Sequence, residues 1–333
     1  IKLPYNVELN QEKESFINLQ LRLKEANHWA EKDYAMAQWQ FAINKIENRL
    51  QEVKESKEAF LVQEDKTQLT LENKGFKISF DKQNGEILYW KYDGFEVISD
   101  RKGSPHYNNN RWIENDKHGD SISGELASTC EIKLNKEKTK AEIKITTKGE
   151  KCPYTIEYTV YSNNIVDMKV TLNPIVEGLR RLGLGMIFSK DFEEIDYYAK
   201  GPWENYNDRQ EASFVGRYST TVSDMLTPYA HPQSCGNRQE MREIFLYKKG
   251  STKGLKIEAN QPIAFSMLHF DDKDFNKEKL HPWELEAREE VYAHFDFVQR
   301  GLGNGSCGPQ TIEKYQVPSS GTYSFTLRFS PLR

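Results

Sequence analysis

Four short stretches of this chain gather the residue types that recognise hydroxyl-rich ligands. They are "NNNRWIENDKHGD" (Asn108 to Asp120), "GPWENYNDR" (Gly201 to Arg209), "TPYAHPQSCGNR" (Thr227 to Arg238) and "QRGLGNGSCGP" (Gln299 to Pro309). Together they supply carboxylates, carboxamides, guanidinium groups and aromatic rings. Carboxylates, amides and arginine read hydroxyls through directional hydrogen bonds. The apolar face of a pyranose packs on Trp or Tyr. The same Asn, Asp and Gly residues are ordinary turn formers, so composition alone leaves a sugar contact and a plain loop both open.

Other chemistries fit less well. "GLGNG" (Gly301 to Gly305) lacks the Lys-Ser/Thr of a phosphate loop, and no helical pattern follows it. A glycosidase needs two carboxyl groups about 5–9.5 Å apart. Glu204 and Asp208 are four residues apart in a loop, a spacing that dictates no such geometry. Carboxylates placed this way also cap backbone N–H groups or pair with a neighbouring cation, here Arg209. His231, between Tyr229 and Pro232, is the candidate imidazole, although burial alone accounts for such a residue. Cys130, Cys152, Cys235 and Cys307 are far apart and form no C-x-x-C pair. They read as free thiols rather than as a zinc site or a disulfide framework.

The bulk numbers bound the rest. The chain has 333 residues, 37% of them hydrophobic, enough for one large domain or two. Lys and Arg number 46 against 50 Asp and Glu, and no basic stripe interleaved with aromatics stands out, which argues against nucleic acid. No apolar run approaches the roughly 18–20 residues of a membrane span. The first residue is Ile1 and the first stretch already reads as strand, so the chain is expected to start partway through a protein. Cytoplasmic and periplasmic locations both stay open.

Loops of this kind need a rigid scaffold, and the patterning supplies a β one. Alternation puts Ala141, Ile143 and Ile145 on one face, and likewise Tyr154, Ile156, Tyr158 and Val160. Val166, Met168, Val170 and Leu172 do the same, as do Tyr323, Phe325, Leu327 and Phe329. "FKISFDKQNGEILYWKYDG" reads as consecutive strands around an Asn-Gly hairpin. The charged stretch Asn44 to Asp65 reads as a linker or short surface helix. The expected division is therefore 1–43, a linker at 44–66, and a large domain at 67–333. Before the boundary, Ala35, Ala37 and Trp39 alternate like the last strand of a small sandwich, too short to be complete.

"GPWENYNDR" followed by "VSDMLTPYAHPQSCGNR" resembles the C-terminal domain of the family 2 β-galactosidases, which carry a G-P-x-E-x-Y-x-D-R segment and then a T-P-Y-x-x-P-Q-E-x-G-x-R-like segment. "NNNRWIENDK" is similar to the family's R-A-P-x-D-N-D turn, with Glu114-Asn115-Asp116 in place of Asp-Asn-Asp. "QRGLGNGSCGP" is similar to the G-x-G-x-D-S-W-G-P turn, and "ANHWAEKDYAMAQWQF" to the end of the preceding immunoglobulin-like domain. The resemblance spans almost the whole chain. It implies an all-β fold, a large antiparallel β-supersandwich of galactose-mutarotase-like type, preceded by a partial immunoglobulin-like segment. It also implies a catalytic (β/α)8 barrel, in the parent chain or a large subunit, that carries the two catalytic glutamates and nearby Mg and Na ions. No strand–helix repeat of such a barrel is present here, so no catalytic residue or cofactor is assigned to this chain.

The candidate substrate-binding residues that follow from the resemblance are grouped by loop. The first loop offers Arg111, Glu114, Asn115 and Asp116, with Arg111 ordering the loop through Glu114 or Asp116. The second offers Glu204, Asn205, Tyr206, Asp208 and Arg209; its acidic and basic members serve either the loop or the sugar, while Trp203 and Tyr206 read as core. The third offers His231 and Gln233. The fourth offers Asn304, Ser306 and Cys307. Departures from the family pattern leave the galactoside open: Cys307 stands where a Trp platform is expected, and Ser234-Cys235 where a carboxylate is expected. The expected function is a non-catalytic domain that helps wall a galactoside site on the barrel, with the oligomeric state open. The alternatives are a free-standing carbohydrate-binding module and a mutarotase-like enzyme built on His231 and Glu204.

Overall fold

The computed structural model describes residues 13–44, 46, 49–54, 56–113, 125–276, 278–303 and 308–332, with the side chains of 125–127 excepted. Two compact units divide the chain, Ile1–Arg49 and Leu50–Arg333. In the first, β1 (Ser15–Arg22) and β2 (Ala35–Asn44) pair antiparallel, with Ile17 opposite Phe41, Leu19 opposite Trp39 and Leu21 opposite Ala37. Residues directly opposite share a face, so one face is apolar and the other carries Asn18, Gln20, Gln38 and Gln40. The apolar face is exposed: Phe41 is 54% and Trp39 45% accessible. Thus the alternation read at Ala35, Ala37 and Trp39 is that of a strand, but Trp39 is not buried. A two-stranded hairpin is marginal by itself in water.

The second unit is an antiparallel β-sandwich. Its smaller sheet runs β3 (Leu61–Glu64), β4 (Gln68–Asn73), β5 (Phe76–Asp81), β6 (Ile87–Tyr92) and β7 (Phe95–Glu96) in that order. The larger has twelve strands: β8 (His106–Tyr107), β9 (Glu125–Leu134), β10 (Lys140–Gly149), β11 (Tyr154–Tyr161), β12 (Val166–Leu172), β13 (Arg181–Phe188), β14 (Phe192–Gly201), β15 (Phe214–Thr221), β16 (Arg238–Lys248), β17 (Gly254–Leu268), β18 (Val291–Gln299) and β19 (Tyr323–Leu332). Its main path is β15-β14-β16-β17-β19-β12-β11-β10-β9. The sheet forks at β17: residues 254–259 pair with β19, and residues 264–268 pair with β18, which leads on to β13 and β8. The fork sets β18 beside β13, which pairs with β8, and the end of β18 meets the loop before β16, where Gln299 donates to Asn237 at 3.3 Å. Among the described residues the helical segments are single 3-10 turns, and none is long and apolar enough to cross a membrane.

The core lies between the two sheets. β10, β11 and β12 bury every second side chain, as their alternation requires. Aromatic rings lock the layers together: Phe80 meets Tyr158 at 5.3 Å, Trp90 meets Phe329 at 5.1 Å, and Phe95 meets Phe192 at 5.6 Å. Each such side chain contributes about 1.5–3 kcal/mol by leaving water. β13 breaks the alternation, because nearly all of its "RLGLGMIF" is buried.

The stretch read as a linker at 44–66 belongs in large part to this sandwich. Leu61–Glu64 pairs with β4, and Phe60 is buried with its N–H on the Lys138 carbonyl at 2.8 Å. Arg328, bidentate to Asp167, also donates to the Gln51 carbonyl at 2.6 Å. Among the described residues of 44–65 none is helical. Its charges are the solvent side of an edge strand and its approach, with only Phe60 and a few neighbours turned inward.

The β5–β6 hairpin tip touches the opposite sheet at Gly85. Its φ is +78°, and a Cβ there would lie 2.3 Å from Cγ1 of Ile145. Gly85→Ala should therefore destabilise the sandwich by about 1–3 kcal/mol, from overpacking with added strain at positive φ. Urea unfolding of the two proteins at equal m-value measures it.

Candidate functional site

The described parts of the four polar loops converge, and backbone polarity explains how. The turn Tyr206 to Arg209 is closed by two reciprocal N–H to C=O bonds of 3.1 and 2.8 Å, which leaves Asn207 and Asp208 at its tip. Such residues carry short side chains that bond nearby backbone. Here they reach the fourth loop. Asp208 accepts from the N–H groups of Leu302 at 3.0 Å and Gly303 at 2.8 Å, and Asn207 donates to the Gln299 carbonyl at 2.8 Å. Asn205, fully buried, accepts from Gln239 N–H and donates to the carbonyls of Lys200 and Trp203.

Glu204 holds the third loop. Its Oε1 accepts from Arg209 at 2.5 Å and from the Tyr229 hydroxyl, and its Oε2 accepts from Gly236 N–H at 2.9 Å. Arg209 also lies over the Tyr206 ring at 5.3 Å. Burial, together with the Glu204 hydrogen bond, pushes the Tyr229 phenol up to about 12. Burial likewise pushes the Cys235 thiol up to about 12, where it accepts from Thr227 N–H at 3.4 Å. The third loop is stapled to the first by two bonds of 2.8 Å, Trp112 N–H to Ser234 Oγ and Ser234 N–H to the Trp112 carbonyl.

Arg111, buried, donates to Gln299 Oε1 at 3.2 Å, to the Arg300 carbonyl and to the Gly301 carbonyl at 3.3 Å. These described bonds run to the fourth loop. The expected partners Glu114 and Asp116 lie outside the described residues, with Asn115, Asn304, Ser306 and Cys307. Gln299 is the meeting point. Its Nε2 donates to Asn237 Oδ1 at 3.3 Å and to Asp296 Oδ2 at 3.2 Å.

Beneath the loops lies a buried charge network that sequence reasoning missed. Arg181 pairs with Asp296 at 3.0 Å and approaches Asp272 at 3.7 Å; Asp272 also meets His294 Nε2 at 2.8 Å and accepts from Asn108 at 3.2 Å. Asp296 fits because β13 carries Gly183 there: a Cβ would stand 2.2 Å from the Asp296 carboxylate. Burial works against ionisation of Asp272. The charges of His294 and Arg181, with hydrogen bonds from His294 and Asn108, outweigh it and hold the carboxyl below its ordinary value. The available signal was "AHFDF" in β18, where a His and an Asp interrupt an otherwise apolar strand.

The expected residues thus fall into three groups. Arg111, Glu204, Asn205, Tyr206, Asp208 and Arg209 are brought together, and each bonds protein groups. His231 and Gln233 are half-buried in the third loop; elsewhere among the described residues His294 pairs with Asp272 and His269 with Glu193, while Glu204 serves Arg209, Tyr229 and Gly236. Trp203, read as core, is 77% accessible, because the loop turns its ring outward while Asn205 and Tyr206 turn in. Cys130, Cys152 and Cys235 are free thiols, and Cys307 lies outside the described residues. No group of three or more His, Cys, Asp or Glu gathers among the described residues as a metal ion would need.

Comparison with known proteins decides the family. The family described as "Beta galactosidase small chain" matches residues 72–329, which take in all four loops and most of the sandwich, leaving out β3 and the start of β4. The chain belongs to the β-galactosidase small-chain family. It is 29% identical over 178 residues to a β-galactosidase of Staphylococcus xylosus, covering 53% of this chain and 18% of that protein. It is 22% identical over 348 residues to one of Priestia megaterium, covering 100% of this chain and 33% of that protein. The chain therefore spans at most about a third of these two curated relatives. The galactose 1-epimerase of Lactobacillus acidophilus NCFM matches with a TM-score of 0.45 at 11% identity, covering 82% of this chain and 97% of that one.

Two outcomes follow for this small-chain domain. Asp208→Ala should cost about 1–3 kcal/mol, because two amide donors lose their acceptor, and Asp208→Asn, which keeps one, should cost less; urea unfolding ranks the three proteins. Asp272 stabilises the fold above roughly pH 4, where the unfolded carboxyl is also ionised. That contribution is lost as pH falls below this through the lower folded-state value. Asp272→Asn should therefore melt well below the parent at about pH 7, with the gap narrowing toward about pH 3.

Proposed function

We propose that this chain is the non-catalytic β-sandwich end of a β-galactosidase, and that its joined loops wall and shape the galactoside site of a (β/α)8 barrel carried elsewhere. The observation that carries this is the use made of the loop carboxylates. Glu204 and Asp208 are both engaged by donors of neighbouring loops, so they hold a rim and are not poised as an acid and a nucleophile. A rim of this kind, fixed by charge-assisted bonds, suits shaping a site whose reacting groups come from a neighbour. In this reading the barrel supplies the two glutamates and the Mg and Na ions, and the substrate is a terminal β-D-galactoside. Trp203, the exposed ring on the Glu204 loop, is the surface most open to that neighbour. The bare apolar face of β1 and β2 supports reading the first unit as the end of an immunoglobulin-like sandwich completed by further chain.

The purified chain should leave a chromogenic β-galactoside intact, and hydrolysis should appear when the barrel portion of the same enzyme is added. In that assembly Asp208→Ala should raise KM more than it lowers kcat, since it loosens the wall and not the reacting groups. Turnover by the chain alone that disappears in Glu204→Gln would overturn the reading.

A further inference from the structure

Large apolar side chains left in water are informative by where they gather. Among the described residues of the second unit six are exposed: Leu61, Ile175, Trp203, Leu280, Trp283 and Ile312. Four of the six border the joined loops. Trp203 is on the Glu204 loop, and Ile312 follows Thr311, whose hydroxyl donates to the Gly301 carbonyl at 3.0 Å. Leu280 and Trp283 stand on the connection between β17 and β18. They lie just beyond Asn276, which shares the wall of a small pocket with Asn110 and Trp112 of the first loop.

The tip of that connection, residues 279–285, is a rigid knob. Glu284 closes it: Oε2 accepts from the N–H groups of Leu280 at 2.7 Å and His281 at 3.3 Å. The Glu284 N–H donates to the His281 carbonyl at 3.0 Å, and the Glu284 carbonyl accepts from Lys279 Nζ at 3.0 Å. Pro282 fixes φ inside the turn. The His281 ring stacks on Trp283, with 4.3 Å between centroids and 16° between planes. The base is held as well. Arg288 grips Asp274 with two bonds of 2.7 Å, and Phe275 is buried against Phe270 at 5.9 Å. The bonds that close the turn come from Glu284, Lys279 and backbone, and the indole is left 77% accessible, with Leu280 57% accessible beside it in sequence. Side chains presented on a pre-set turn lose little conformational freedom on docking.

We propose that this knob docks into an apolar socket on the (β/α)8 barrel portion of the same enzyme, with Trp283 as its anchor. The inference rests on the accessory reading and adds to it a contact outside the four loops. Two observations select this occupant. The exposed apolar groups are concentrated at the loop end, the side that the accessory reading turns toward the barrel. This chain spans 33% of the Priestia megaterium relative, so an enzyme built like that one has ample further chain to form the socket. Trp is also among the residue types most enriched where a few side chains carry an interface.

Calorimetry of the purified chain with the barrel portion, read together with hydrolysis of a chromogenic β-galactoside, tests it. Trp283→Ala should weaken binding about thirtyfold or more, at unchanged melting temperature because the ring is exposed. Glu284→Ala, which keeps the indole but unlocks the turn, should weaken binding about tenfold. Both variants should restore full hydrolysis once the barrel portion saturates them, since the knob supplies no reacting group. Restored hydrolysis with parent-like affinity in Trp283→Ala sinks the knob alone. A parent chain that neither binds the barrel portion nor restores hydrolysis sinks the accessory reading, and the knob's occupant with it. Self-association of the chain by itself, seen in sedimentation and lost in Trp283→Ala, would give the knob to a second copy and overturn the choice of the barrel.

Discussion

The side-chain amide of Gln299 is the constraint on which the loop end of the sandwich depends. Its oxygen takes Arg111 from the first loop, and its nitrogen serves Asn237 of the third loop and Asp296 of β18. Its backbone carbonyl takes Asn207 from the second loop. A buried amide with both ends engaged tolerates little displacement of any partner, since each lost bond leaves a desolvated group. One residue at the end of one strand thus sets the mutual position of loops that are up to about two hundred residues apart in the chain.

The charges below it follow the same logic. Arg181, Asp272, Asp296 and His294 are all shielded from water. An isolated charge in such a place is unstable, so the network persists only as a set in which each group offsets another. Such sets add little net stability but allow few alternative arrangements. That suits a scaffold whose task is to hold loops at fixed spacing. The same set also fixes Asp272 in the wall of a small pocket beside the loops.

The sandwich was legible in the sequence where one face of a strand meets core and the other meets water. β10, β11, β12 and β19 show that alternation in their burial. It was not legible in β13, which is covered on both faces, nor in β3, whose four residues are mostly exposed. The loops stood out by composition. Their inner workings did not stand out. Trp203 points to solvent although it is large and aromatic, because Asn205 and Tyr206 claim the interior of the same turn. Residue type does not say which of two neighbouring side chains turns inward.

Residue order alone settled what depends on near neighbours: the period of two, the turn formers, and the motif spacing that places the chain in the β-galactosidase small-chain family. Which carboxylate meets which donor was decided only by the folded chain. The partners of Glu204, Asp208 and Asp272 lie on other strands and loops, brought near by the fork at β17. Hydrogen bonds and ion pairs act over a few ångströms of space, whatever the distance along the chain.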